Sequence, residues 1–270
     1  KEHSGYPKFK SKKNRYESYR TSCTNNNVRY DSRKIKLPKI GWVKTKDKQF
    51  PQGRILNATI SQEPNGHYYC SLCCTDVEVP QFTKTNKNIG IDLGICDFAI
   101  FSDGTKIENP RFYEQSEKKL ALLQHRLSRK TKGGSNWNKS RIKIANLQKH
   151  ISNQRIDFLQ KLTTDIVNNY DVICIEDLDV KSLKESDNTQ TNKHVSDVSW
   201  SEFRRMLTYK TKWYGKELVV IDRFYPSSQK CHICGHISGK KSTDIRRWTC
   251  SNCKSELDRD INAAINILND

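Results

Sequence analysis

Ile89, Ile91 and Leu93 fall on one face of a period-2 segment, with Gly90, Asp92 and Gly94 on the other. The pattern predicts a strand whose apolar face is buried. Its second face, a carboxylate between two residues without side chains, suits a place where a bulky anion nears the backbone and one acid. A second apolar run, Val172 to Leu178, stops at Glu176. A third pattern, from Leu257 to Leu268, predicts a short helix opening on Asp260. Ala263, Ala264, Ile267 and Leu268 lie on the side of Asp260, at spacings of three, four, seven and eight. The two alanines let that helix pack tightly onto a sheet.

The other periodicities supply the order of elements. Ile35–Ile40, Arg54–Ile60 and His67–Leu72 read as strands, separated by the turn signals Pro51-Gln52-Gly53 and Pro64-Asn65-Gly66, and predict a small β-barrel. Cys70, Cys73 and Cys74 alternate as in a buried strand and read as core thiols. Cys96–Phe101 and Thr105–Glu108 form a hairpin about Ser102-Asp103-Gly104. Residues 113–130 and 138–169 are two helices with the core stripes Leu120, Leu123, Leu127 and Ile144, Leu147, Ile151, Phe158, Leu162, Ile166. A polar loop over 180–198 precedes a helix from Ser199 to Tyr214, with a capping box from Ser199 to Glu202 and Gly215 as its stop; Glu217–Asp222 is a last strand.

Three strands, helices, a strand, a helix, a strand and a helix, with the acids in the order strand Asp, strand-end Glu, helix-start Asp, is the layout of an RNase H-like α/β fold. Three carboxylates brought together repel one another and imply divalent cations. Oxygen ligands suit Mg²⁺ or Mn²⁺, and two such ions clamp the attacking and leaving oxygens of a phosphodiester.

Charge points to a polyanionic partner. The 270 residues carry a formal net charge of +18 and a pI near 9.5. Residues 1–54 hold 16 Lys/Arg against 4 Asp/Glu, and residues 118–155 hold 11 Lys/Arg and no acid. From these runs the candidate nucleic-acid contacts are Lys12, Lys13, Arg15, Arg129, Lys130, Arg141 and Lys143. The first 34 residues interleave Tyr6, Phe9, Tyr16, Tyr19 and Tyr30 with cations, which fits base stacking and fits equally a loosely ordered segment with a few anchoring rings. No signal peptide or 18-residue apolar stretch is visible, so a cytoplasmic, nucleoid-associated protein of a prokaryotic host is expected, with no membrane partner. Lys1 opens the chain mid-pattern without Met, which reads as missing N-terminal sequence.

Between the last strand and the last helix stand Cys231-His232-Ile233-Cys234 and, fifteen residues on, Cys250-Ser251-Asn252-Cys253. Each CxxC presents two thiolates to one side of a tetrahedral ion, so Cys231, Cys234, Cys250 and Cys253 predict a closed, structural Zn²⁺ site. Four thiolates fill the sphere and leave His232 and His236 outside it. Arg246, Arg247 and Trp248 lie on this ribbon as further candidate contacts.

With these residues in place, the chain resembles the TnpB family of transposon-encoded, RNA-guided DNA endonucleases related to type V CRISPR effectors. The resemblance rests on Gly5–Lys13, Gly90–Gly94, Ile175–Leu178, Ser199–Arg204, Asp222–Ser228, the four cysteines and Asp258–Ala264. It implies a wedge-like β-barrel and basic segment over 1–86, a RuvC-like nuclease core over 87–228 with its helical hairpin at 113–169, a ribbon over 229–254 and the last core helix over 255–270. It also implies a catalytic triad of Asp92, Glu176 and Asp260, with guide RNA and target DNA as partners and products ending in 5′-phosphate and 3′-hydroxyl. The family's N-terminal helical recognition region is expected to be absent or mostly absent from this sequence. The competing reading is a non-cleaving RNA-guided DNA-binding protein, a repressor or a truncated relic. A strand-joining transposase ranks low, because no paired His with a catalytic Tyr is seen.

Overall fold

The computed structural model describes residues 17–47, 51–179, 197–242 and 245–270. The chain divides into two compact units, residues 1–78 with 120–149 and residues 79–119 with 150–270. The helical pair is therefore shared between units and does not belong wholly to the second.

In the first unit the residues expected as a barrel form two three-stranded antiparallel sheets. One is ordered β1 (Glu17–Ser22), β5 (Arg54–Gln62), β6 (Tyr68–Thr75); the other is β2 (Arg29–Asp31), β3 (Lys34–Leu37), β4 (Gly41–Lys44). Ile35 and Leu37 from the second, Val28 just before β2 and Ala58 from the first fill one shared core. β1 and β2 fall where the sequence suggested a loosely ordered segment. They form because Tyr19 stands opposite Ile60 and Tyr30 opposite Ile35, giving each short polar strand a ladder partner. The core assignment of Cys70, Cys73 and Cys74 is corrected: Cys70 and Cys73 are exposed and Cys74 half-buried. β6 is an edge strand, and its one contribution to this core is Leu72, opposite Ala58.

The second unit is built on a five-stranded sheet ordered β11 (Glu217–Ile221), β10 (Val172–Glu176), β7 (Asn88–Leu93), β8 (Asp97–Phe101), β9 (Lys106–Glu108). β7, β10 and β11 run parallel, and β8 and β9 form the antiparallel arm read from the sequence. α1 (Phe112–Ser128) and α2 (Ser135–Asn169) follow β9 in the chain, and α3 (Trp200–Tyr214) separates β10 from β11. The later half of α2 and α3 cover one face, where Ile89, Ile91 and Leu93 meet Leu159, Ile166, Phe203 and Leu207. Phe98 makes edge-on contacts with Phe158 and Phe203 at 5.2 and 5.3 Å. Full burial of each such ring or branched side chain contributes about 2 kcal/mol. The expected capping box at the start of α3 does not form. Ser199 sits in the left-handed region at φ 59 and makes no side-chain cap, and Glu202 instead pairs with Arg205. Left-handed backbone at Ser199 moves its hydroxyl away from the orphan N–H groups that a cap satisfies.

The opposite face of the sheet takes α4 (Arg259–Leu268). Ile267 packs on Cys174 and Ile221, and Ala263 and Ala264 are fully buried. This overturns the reading of Gly90. A Cβ built there would lie 2.1 Å from the Ala264 carbonyl oxygen and 2.8 Å from the Leu268 nitrogen. The missing side chain makes room for a helix backbone, not for a ligand.

Gly90→Ala should therefore push α4 off the sheet. Overpacking against backbone costs about 2–3 kcal/mol or more, so urea unfolding should show a lower midpoint with an unchanged slope. A midpoint equal to that of the parent chain would contradict the contact.

Candidate active site and zinc centre

Asp92 shares the Gly90 face of β7, so its side chain points to the side on which α4 lies. Glu176 ends β10, the next parallel strand. Asp260 is in the first turn of α4. Burial, then the charges of Glu176 and Asp260, hold the Asp92 carboxyl well above the usual range, and a hydrogen bond joins it to Glu176. Burial likewise pushes Glu176 up to about 7. Both carboxyls are thus biased toward the protonated form.

Asp260 is differently placed. Its Oδ2 is 2.9 Å from Nη1 of Arg246, whose Nη2 reaches the Cys96 sulfur at 3.4 Å. Arg246, expected as a nucleic-acid contact, lies on the third carboxylate. Among the described residues only the four cysteines bring all their ligand atoms within 4.8 Å of one another.

Asp258 lies outside the trio. It is the N-cap of α4, accepting hydrogen bonds from the Asp260 and Ile261 N–H groups at 3.0 and 3.2 Å, and it pairs with Lys106 at 2.9 Å. Asp103 accepts hydrogen bonds from the Tyr170 hydroxyl and the Thr105 N–H and is likewise structural.

The thiols stand at zinc geometry. Cys231 to Cys253 and Cys234 to Cys250 are both 3.7 Å between sulfurs. A tetrahedral ion with Zn–S bonds of about 2.3 Å requires S–S separations of about 3.8 Å. In each knuckle the residue after the second Cys is left-handed, Gly235 at φ 74 and Lys254 at φ 61, and its N–H returns to the carbonyl of the first Cys at 2.9 or 3.0 Å. Hydrogen bonds from Ser255 hold Cys253 down to about 6, while burial pushes Cys231 up to about 11. Strands β12 (Arg247–Thr249) and β13 (Glu256–Asp258) flank the second knuckle, and β13 runs straight into α4. Trp248 is corrected from a surface contact to a core residue of the ribbon, packed on Cys231, Cys250 and Leu257 with the Lys241 ammonium 3.6 Å from its ring centre.

Two residues in the ribbon joint were not foreseen. Asn262 and Asn266 are buried, and their amides donate to the Ser227 and Lys230 carbonyls at 2.7–3.4 Å. Asn262 Oδ1 also accepts from the His232 N–H at 2.9 Å. Their signal in the sequence is a pair of amides four residues apart within an apolar helix face.

The remaining candidate contacts divide. Lys12, Lys13 and Arg15 lie outside the described residues. Arg129, Lys143 and Arg247 are exposed. Lys130 bonds Ser140, and Arg141 donates to the Pro64 carbonyl at 2.6 Å. With Lys149 on Glu63 at 2.5 Å, Arg141 fixes the β5–β6 turn against α2. Part of the acid-free run is therefore anchoring, not free charge.

Residues 71–187 match the OrfB_IS605 family, described as "Probable transposase", and residues 200–267 match the Cas12f1-like TNB domain. A "Putative RNA-guided DNA endonuclease" of Streptomyces pristinaespiralis is 39% identical over 98% of this chain and 65% of its own length. A "Putative RNA-guided DNA endonuclease InsQ" of Escherichia coli K12 is 31% identical over 97% of this chain and 70% of its own length. The chain thus spans about two thirds of the length of these relatives. The fold is similar to that of the protein in a cryo-EM structure of a Cas12f1–sgRNA–target DNA complex, at a TM-score of 0.54 and 17% identity over 79% of this chain and 45% of that one. These matches define the class as transposon-associated proteins with a fold similar to that of Cas12f1. Within it, the chain belongs to the TnpB family. Among the described residues, no helix is long and apolar enough to cross a membrane.

Two outcomes are expected. Metal analysis should find about one zinc per chain, and Cys250→Ser should lose it and lower the melting temperature; a metal-free chain of equal stability would exclude the site. In metal-free protein, stability should fall as pH rises from the ordinary Glu value of 4.5 to about 7. Over that window the folded chain keeps a proton that the unfolded chain has released. Glu176→Gln should flatten this dependence in pH-resolved urea unfolding, and a midpoint rising with pH would contradict it.

Proposed function

We propose that this chain is the catalytic portion of an RNA-guided, divalent-metal-dependent DNA endonuclease with an RNase H-like (RuvC) core. The observation that carries the reading is the convergence of Asp92, Glu176 and Asp260 from two adjacent parallel strands and a helix start, with Asp92 and Glu176 strained toward protonation. The strand order β9-β8-β7-β10-β11, in which the antiparallel arm continues from a central parallel strand, supports the RNase H-like assignment. The names of the two relatives support RNA guidance and DNA cutting. The single core beneath the two sheets of the first unit supports a wedge-like role for it.

The donor set fits hard cations: three carboxylates, two of them pushed toward protonation chiefly by burial, a bias that a divalent ion would relieve. Asp92, Glu176 and Asp260 would hold Mg²⁺ or Mn²⁺, which would supply Lewis-acid activation of water and charge neutralisation for phosphodiester hydrolysis. Around that centre the chain's own groups have separate tasks. The Asp258 cap fixes the first turn of α4 and so the direction of Asp260. Arg246 balances Asp260 until that carboxylate is engaged. Asp92 is half-buried on the face that α4 covers. Exposed cations such as Arg129 and Lys143 hold phosphates, while base pairing to the guide chooses the sequence.

Asp92→Asn, Glu176→Gln and Asp260→Asn should each abolish Mg²⁺-dependent cutting of a guide-matched duplex, with losses that do not add, while RNA binding is kept. The exposed Asp157→Asn is the neutral control, its only role being a pair with Lys161. Asp258→Ala should cost about 1 kcal/mol of stability and part of the activity, and Asp258→Ser should restore both. Full cutting by Asp92→Asn would falsify the mechanism. Tight RNA-dependent binding without cutting by the unmutated chain would favour a non-cleaving DNA-binding protein.

Charge reversal at Arg129 and Lys143 should weaken RNA and DNA binding alike and flatten the salt dependence. Reversal at Arg141 should in addition lower stability, because its hydrogen bond to Pro64 is lost. An unchanged salt slope would mark those cations as merely solvated.

A further inference from the structure

We propose that the outer face of the β2-β3-β4 sheet is a stacking platform for unpaired bases of RNA, centred on Trp42. The register sets the face. Arg29 lies opposite Lys36 and Lys36 opposite Trp42, so these three form one row across the strands; Asp31, Lys34 and Lys44 form the next row on the same side. The other side carries Tyr30, Ile35 and Leu37 into the core. The sheet is thus apolar beneath and cationic above, with one large ring in the cationic layer. Trp42 is 50% exposed, although a Trp on a short sheet gains most by being covered.

The charge pattern is unfavourable for the protein alone. Two like-charged pairs, Arg29 with Lys36 and Lys34 with Lys44, stand directly opposite one another, an arrangement that destabilises a sheet. Four cations face a single acid, Asp31. The two-residue turn that joins β2 to β3 places Ser32 and Arg33 at φ 45 and 66, where glycine or asparagine would be at ease, and so holds a fifth cation at the sheet edge. An anion on this face removes the repulsion. A ring among the cations requires that the anion bring a flat apolar partner, and a nucleotide has both. Duplex bases are already stacked on each other and have no face to offer. RNA folded on itself presents unpaired bases in loops and bulges, which selects RNA over a duplex target.

This inference rests on the proposed use of a guide RNA, and its test separates the two. The full chain is titrated by fluorescence anisotropy into oligo(U) of about 15 nucleotides, a length that a small β-module can cover. A blunt RNA duplex of the same length and oligo(dT) are run beside it. Trp42→Ala should weaken oligo(U) binding about 5- to 30-fold, the worth of one stacked base, and leave duplex binding within about twofold. Trp42→Phe should keep most of the affinity. Lys36→Gln should lower the salt slope by about one phosphate contact. Equal losses on single strand and duplex, no loss in Trp42→Ala, no oligo(U) binding by the parent chain, or tighter binding of oligo(dT) than of oligo(U) would each overturn the platform. Trp42-dependent RNA binding in a chain that never cuts a guide-matched duplex upholds the platform and removes the nuclease. Guide-directed cutting with RNA affinity indifferent to Trp42 does the reverse.

Discussion

The contact between α4 and Gly90 is the constraint on which the second unit depends. A helix can approach a central strand closely only where the strand has no side chain and the helix has small ones, and Gly90, Ala263 and Ala264 satisfy both conditions. Three consequences follow from this one approach. The sheet is sealed on its second face by Ile267 against Cys174 and Ile221. Asp260, in the first turn of the helix, is carried toward Asp92. Asn262 and Asn266, on the same helix, anchor the strand-to-ribbon loop through buried amide hydrogen bonds. Closing the core and assembling the acidic site are one event.

That arrangement stores electrostatic tension. Burial holds Asp92 and Glu176 toward the protonated state, while the third acid is kept beside Arg246 on the approach to β12. The ribbon therefore reaches the acidic site by two routes: through the chain, from the second knuckle into β13 and the Asp258 cap, and through space, by the Arg246 guanidinium. A metal held by Cys250 and Cys253 would thereby also bear on the direction from which Asp260 enters.

Positive charge is less uniform than its abundance suggests. Arg141 and Lys149 are spent on the β5–β6 turn, and Arg155 on the buried carboxylate of Asp197. Lys210, almost fully buried, donates hydrogen bonds to the Gln160 carbonyl and the Thr163 and Thr164 hydroxyls, and burial lowers it to about 8. These are cations used as multivalent hydrogen-bond donors inside the protein. On the face around Trp42, by contrast, Arg29 stands opposite Lys36 and Lys34 opposite Lys44, with Arg29 donating to the Asn26 carbonyl at 2.9 Å.

Much of this was legible along the chain. The alternation at Ile89–Leu93, the run ending at Glu176 and the amphipathic Leu257–Leu268 segment each correspond to an observed element, because apolar periodicity of 2 or 3.6 directly reports which face is buried. The CxxC pairs foretold a thiol cluster, since knuckle geometry is local. What the sequence alone could not decide depended on partners distant along the chain. Gly90 read as a ligand approach until Ala264 was found against it. Cys70 and Cys73 alternated like core residues but lie exposed on an edge strand. Ser199 and Glu202 had the letters of a capping box, but the backbone at Ser199 turned left-handed. Arg246 read as free charge, and only the folding of the ribbon onto the core brought it to Asp260. Local patterns report which residues seek burial or a turn, whereas the identity of what covers them, and hence the meaning of an isolated glycine, cysteine or arginine, is set by contacts between residues far apart in sequence.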